Sequence, residues 1–207
     1  MMNIAVLVSG GGTNLQALID AEKRGEIKNG KITLVIASKP DAYALERAKQ
    51  NGIETKVIAR KEYDDIHTYT AAVRDALIAG NADLVVYAGF MTILDSQVVE
   101  AFPYKMMNVH PALIPSFCGK GFYGLHVHDA VLASGVKLTG ATVHFVTEDC
   151  DAGPIILQKA IAVNEDDTSE TLQKRVMEQC EWKILPEAVS LFCEGRIKVI
   201  DNKTKIV

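Results

Sequence analysis

Three polar residues in this chain are of the types, and at the spacing, needed to handle a carbonyl group and a proton. Asn108 and His110 stand two apart at the end of an apolar run, Met106-Met107-Asn108-Val109-His110-Pro111, and Asp151 lies in Cys150-Asp151-Ala152-Gly153-Pro154. If the run is a strand, alternation turns Asn108 and His110 to one side and Val109 to the other, so both polar groups reach one centre. An asparagine amide donates to a carbonyl oxygen as it gains negative charge, and an imidazole carries a proton to or from an attacking amine. Acyl transfer needs both. A carboxylate in the Asp151 turn, held by its Gly and Pro, would orient the imidazole and raise its pKa. Taken singly, each motif also has a structural reading: Asn-x-His at a strand end bonds loop backbone, and Asp before Ala-Gly-Pro caps a turn.

A second feature is Ser9-Gly10-Gly11-Gly12-Thr13-Asn14, between an apolar run and the helical pattern LQALIDAEK. Glycines let backbone N–H groups approach an anion, and the helix start adds partial positive charge. No Lys-Ser or Lys-Thr follows, and Leu15 stands where a dinucleotide fingerprint needs its third glycine. A simple phosphate ester is therefore the expected ligand; the structural alternative is a tight turn capped by Thr13 or Asn14. His126-Val127-His128 has ligand-like spacing and, with His110, His144 and Asp151, defines a rival reading as a metal-dependent hydrolase. A phosphate-ligand sensor without catalysis is a third. His67 reads as a surface residue and Trp182 as core packing.

The elements that must position these groups form a repeating pattern. Short β-branched runs at 3–8, 31–37, 55–59, 84–88 and 106–110 suit strands buried on both faces, and helical periodicity separates the earlier ones over Leu15–Ala21, Ala42–Gln50 and Tyr69–Ile78. Further strands at 140–147 and 154–163, joined by the turn-rich EDCDAGP, are expected to lie antiparallel. A long helical stretch from Ser169 to Glu194 follows, capped by Thr168 or Ser169, ended by Gly195 and kinked or split by Pro186. The expected fold is α/β: a Rossmann-like, open, mixed but mostly parallel sheet flanked by helices, in a single domain. Within residues 1–207 the expectation is a phosphate-binding βαβ half over about 1–105 and a catalytic half over about 106–207. The segment PSFCGKGFYG (115–124) reads as an ordered surface loop.

Composition narrows the classes. With 207 residues, 48% of them hydrophobic, the chain can bury a core of its own. Lys and Arg total 22 against 26 Asp and Glu, and the resulting net charge of −4 is spread along the chain, which argues against nucleic acid. The opening MMNIAVLVSGGG lacks a signal peptide's basic start, and no apolar stretch approaches the roughly 18 residues of a membrane span, so a soluble, cytoplasmic protein is expected. Cys118, Cys150, Cys180 and Cys193 are irregularly spaced and read as reduced thiols.

At this point SGGGTNLQA (9–17), AGFMTIL (88–94), NVHPALIPSF (108–117), GLHVHDA (124–130) and HFVTEDCDAGPIILQ (144–158) together make the chain resemble the phosphoribosylglycinamide formyltransferases, folate-dependent enzymes of purine synthesis. The Asn, His-Pro and Asp-x-Gly-Pro elements are shared with other folate formyltransferases and formyltetrahydrofolate hydrolases, which remain the alternatives; the glycine loop chooses among them. Those relatives usually carry an extra RNA-binding or regulatory domain, for which 207 residues leave no room. The resemblance implies Asn108, His110 and Asp151 as the catalytic set, with Gly12, Thr13 and Asn14 on the substrate phosphate. It implies 10-formyltetrahydrofolate as formyl-donating co-substrate along Met91, Thr92, Ile93, Leu94, Val99, Asn108, Thr147, Asp149 and Asp151, with no metal. Glu181, five before Pro186, matches the glutamate that holds the ribose hydroxyls; that match needs a one-residue shift after Arg175, so Glu178 is the alternative. An arginine that meets folate in many relatives falls at Ile66, so that contact is expected to be absent or supplied by Arg60 or Lys61. Partners are small molecules, with neither nucleic acid nor membrane, in a monomer or homodimer.

Overall fold

Aliphatic runs that cannot face water on either side become the centre of the sheet. The computed structural model describes all 207 residues. Strands β1 (Met2–Val8), β2 (Gly30–Ala37), β3 (Glu54–Val57), β4 (Leu84–Tyr87), β5 (Met106–His110), β6 (Leu138–Phe145) and β7 (Ile155–Ala162) form one sheet in the order β3-β2-β1-β4-β5-β6-β7. The first five strands run parallel, while β6 pairs antiparallel with β5 and β7 antiparallel with β6. The sheet is thus mixed but mostly parallel.

Helices α1 (Thr13–Lys23), α2 (Ala44–Gln50), α3 (Ile66–Ala79), α4 (Ser96–Ala101), α5 (Leu125–Ser134), α6 (Ser169–Val176) and α7 (Trp182–Cys193) cover both faces. Alternation along β1 shows why both must be covered: Ile4, Val6 and Val8 enter one core with α1, α2, α6 and α7, and Ala5 and Leu7 enter the other with α3 and α4. Burying aliphatic side chains on both faces contributes roughly 1.5–3 kcal/mol for each residue. Because β1 lies between β2 and β4, the chain winds away from β1 in both directions. Such a switch point opens a crevice at the carboxyl ends of the strands, where the loops after β1 and β4 face each other.

The break in the last helical stretch falls elsewhere than Pro186. Helix α6 starts at the capping box of Thr168 with Thr171, Met177–Glu181 form one π turn, and α7 then runs through Pro186 to Cys193. The physical reason is that a proline lacks the N–H for the carbonyl four residues earlier and its ring crowds that carbonyl, which here belongs to Trp182. The disturbance is felt one turn upstream, next to the wide turn. A π turn holds one residue more than an α turn, which fits the one-residue shift needed to match Glu181. Gly195, with φ 70°, follows the helix in the left-handed conformation.

Helix α4 was not expected from the sequence, nor were the short 3-10 turn Arg60–Glu62 and the hairpin of β8 (Ile197–Ile200) and β9 (Lys203–Ile206), turned by Asp201 and Asn202 with φ 49° and 57°. Asp and Asn tolerate that left-handed geometry, which two-residue hairpin turns require. No helix is long and apolar enough to cross a membrane.

Gly140 shows how closely β6 and β7 approach. A Cβ there would lie 1.9 Å from the Lys159 carbonyl oxygen. Gly140→Ala is expected to destabilise the fold by about 1–3 kcal/mol, read as a lower urea midpoint; an unchanged midpoint would contradict this tight packing.

Candidate active site

Pairing between β5 and β6 sets Asn108 opposite His144 and His110 opposite Thr142. The Asn108 Nδ2 donates to His144 Nε2 at 3.2 Å and, at a longer 3.4 Å, to Asp151 Oδ1. His110 Nδ1 lies 3.5 Å from Asp151 Oδ2, and His144 Nε2 lies 3.5 Å from Oδ1. The Gly119 N–H donates to Oδ2 at 2.9 Å. Asp151 therefore meets Asn108, His110 and His144 at once.

Local sequence explains how a residue beyond β6 returns to β5. Asp151 adopts φ 55°, and Gly153 passes so near β6 that a Cβ would stand 1.9 Å from the Phe145 carbonyl oxygen. Only glycine permits that approach. On the other side, His110 Nε2 donates to the Phe117 carbonyl at 2.8 Å. The 116–124 segment thus bonds two of the three residues through backbone groups, Phe117 with His110 and Gly119 with Asp151. Thr142 anchors the preceding turn, accepting from the Ile114 N–H and donating to the Ala112 carbonyl.

The electrostatics of the cluster centre on Asp151. Burial alone would raise the Asp151 carboxyl, but the neighbouring His144 and His110 imidazoles and the Gly119 N–H bring it down to about 2. Burial is also the main influence on His110 and holds it below the usual imidazole range, while Asp151 and the Phe117 carbonyl oppose it. Both ring nitrogens of His110 face acceptors, an arrangement complementary to the imidazolium. Burial thus favours the neutral ring, which has partners ready when it takes up a proton. His144 was read from the sequence only as a metal ligand; its cross-strand place opposite Asn108 could have been found from the alternation of β6, had the β5–β6 register been known.

A cleft of about 680 Å³ runs from this cluster to the glycine loop. Thr13, Asn14 and Glu181 line it together with the cluster and with Met91, Thr92, Ile93, Leu94, Val99, Thr147 and Asp149. Gly12 does not line it: with φ 72° and a virtual Cβ 2.6 Å from that of Ala44, this glycine shapes the loop from behind. Neither Thr13 nor Asn14 caps α1, whose N-cap is Gly12 without a side-chain bond. Asn14 Nδ2 instead donates to Glu181 Oε2 at 2.8 Å, and burial pushes that carboxyl up to about 7 despite this bond. Glu178 pairs with Lys174 at 3.9 Å and stays outside the cleft.

Other residues singled out from the sequence fall elsewhere. His126 is exposed against the Tyr123 ring, whereas His128 is fully buried in the cleft wall, so the two do not converge as ligands would. Arg60 donates to the Tyr63 carbonyl at 2.6 Å and lies over the Tyr69 ring; neither it, Lys61 nor Ile66 lines the cleft. His67 is exposed beside Asp95 at 3.0 Å, and Trp182 is half-buried.

The fold and this cluster define a class. Residues 2–189 match the formyl transferase family, and the chain belongs to it. It is 40% identical over 201 residues to the phosphoribosylglycinamide formyltransferase of Escherichia coli (strain K12), covering 97% of this chain and 92% of that protein. It is 43% identical over 199 residues to the trifunctional purine biosynthetic protein adenosine-3 of Bos taurus, covering 96% of this chain but only 19% of that longer protein. Among solved structures, glycinamide ribonucleotide transformylase 1 from Symbiobacterium toebii is similar with a TM-score of 0.94 and 41% identity, over 100% of this chain and 94% of that one.

The Glu181 proton makes stability depend on pH. The folded chain holds it up to about pH 7, while the unfolded chain releases it near the ordinary 4.5, so stability falls as pH rises between these values. Glu181→Gln keeps an acceptor for Asn14 and is expected to be more stable than the wild type at pH 8 by ~1–3 kcal/mol, with little difference at pH 4.5. Denaturant midpoints at both pH values check this, and an equal gap at both would refute it.

Proposed function

We propose that the chain transfers the formyl group of 10-formyltetrahydrofolate to the amine of glycinamide ribonucleotide, the step its relatives are named for in purine biosynthesis. The observation that carries the reading is that a single cleft is lined by the start of the helix after the glycine loop, the buried Glu181 carboxyl, the polar cluster and the apolar Met91, Ile93, Leu94 and Val99. Backbone N–H groups of Gly12, Thr13 and Asn14 hold the phosphate, and Glu181 accepts from the ribose hydroxyls. The folate ring lies along Met91 to Leu94, Val99 and the loop carrying Thr147, Asp149 and Asp151. On this reading the first half of the chain supplies the phosphate site and the second supplies the catalytic cluster. The partners are small molecules in the cytoplasm, and no metal takes part.

Bound side by side, the amine nitrogen attacks the formyl carbon directly, the carbonyl becomes an oxyanion, and no covalent enzyme intermediate forms. Asn108 Nδ2, whose bond to Asp151 is long and easily exchanged, donates to that oxyanion together with protonated His110. The Nδ1 of His110 takes up the proton that the attacking amine loses, with Asp151 beside it holding the ring, and releases it to the folate nitrogen on collapse. Collapse breaks the bond to the folate nitrogen; the proton lost by the amine arrives on that nitrogen, giving formylated ribonucleotide and tetrahydrofolate.

His110→Ala and Asp151→Asn are each expected to lower kcat by roughly 10²–10⁴-fold while both substrates still bind with affinities close to wild type. Near wild-type turnover in either variant would overturn these roles. Tetrahydrofolate release, followed spectroscopically, is expected only when glycinamide ribonucleotide is present. Release without the amine would instead mark a formyltetrahydrofolate hydrolase.

A further inference from the structure

Arg47, on α2, does not line the cleft, yet it is bonded to the glycine loop. Its Nε donates to the Gly11 carbonyl at 2.8 Å and its Nη1 to Gln16 Oε1 on α1 at 3.0 Å, while the guanidinium lies over the Tyr43 ring, 5.1 Å from its centre. One residue earlier in the loop, the Gly10 carbonyl accepts from the Ala44 N–H at 3.1 Å. The first turn of α2 therefore ties down two successive peptide planes. In a planar trans peptide the N–H points opposite to the C=O. With the carbonyls of Gly10 and Gly11 turned toward α2, the N–H groups of Gly11 and Gly12 must point away from it, as donors without a helix of their own to satisfy them. Gly12 completes the arrangement, since its left-handed φ of 72° and close approach to Ala44 leave no space for a side chain.

We propose that Arg47 is a positioning residue for the acceptor substrate's phosphate: by fixing the Gly11–Gly12 peptide plane from outside the cleft, it turns the Gly12 N–H toward the phosphate. Its charge, held near the loop by Tyr43 and the Gln16 bond, further stabilises a bound dianion. The two donors of the fork reach different elements, the loop and α1, so a lysine can replace the charge and one bond but not both bonds. The inference rests on the glycine loop being the phosphate site.

Steady-state kinetics with glycinamide ribonucleotide and with its dephosphorylated riboside test both levels. In the wild type the ribonucleotide is expected to be strongly preferred by kcat/KM. Arg47→Met is expected to raise KM for the ribonucleotide roughly 10- to 100-fold, leaving kcat and the folate KM within about twofold and the riboside kcat/KM almost unchanged. Arg47→Lys should fall between the two, with a loss of about three- to tenfold, and it carries the test should Arg47→Met fail to fold. An equal loss on riboside and ribonucleotide would mean that Arg47 merely supports the fold, and an unchanged KM in both variants would mean that it does nothing for the phosphate. Either result overturns the proposal while the loop remains the phosphate site. A wild type that does not prefer the ribonucleotide removes the loop reading itself, and the role of Arg47 with it.

Discussion

The buried carboxylate of Asp151 is the interaction on which the site depends. A carboxylate removed from water is costly unless donors replace its hydration. Here the Asn108 amide and the Gly119 N–H donate to it, and the imidazoles of His110 and His144 stand 3.5 Å away. These groups come from β5, β6 and the 116–124 segment, so satisfying one charge draws three parts of the chain together. The tight turn at Gly153 and the left-handed backbone at Asp151 are what deliver the carboxylate to that point.

The remainder of the molecule supplies a rigid frame around this polar cluster. Two apolar cores clamp the sheet, and the carboxyl ends of β1, β4 and β5 open onto the cleft between them. Ser9 links two of these ends, since its hydroxyl accepts from the Met91 N–H and pairs with Ser38. The glycine-loop side of the cleft lies against α1 and the π turn, where Asn14 meets Glu181. Holding a carboxylate in that position costs stability above its ordinary pKa, a cost that a binding site tolerates where a core would not.

The strand pattern was legible because central strands such as Leu84–Tyr87 are apolar at every position and glycines or Asn-Gly pairs end the elements between them. The convergence of Asn108 and His110 followed from alternation within one strand, a local property. Long-range register was not legible. That His144 faces Asn108, or that the Gly119 N–H reaches Asp151, depends on how separate segments align, and nothing local to 116–124 encodes it. The π turn is an intermediate case: its trace was the one-residue mismatch before Glu181, but the proline drew attention to a site one turn too late.

The coupling between Asp151 and His110 is most directly tested by ¹⁵N NMR titration of the histidine side chains, with the His110 signals assigned through His110→Gln. In the wild type the ring should titrate below the ordinary imidazole value with Nε2 protonated throughout, as its bond to the Phe117 carbonyl requires. Asp151→Asn removes the opposing charge and is expected to lower the His110 pKa further. A His110 pKa that stays the same or rises in that variant would contradict the placement of this carboxylate as the group that prepares the imidazole for its proton.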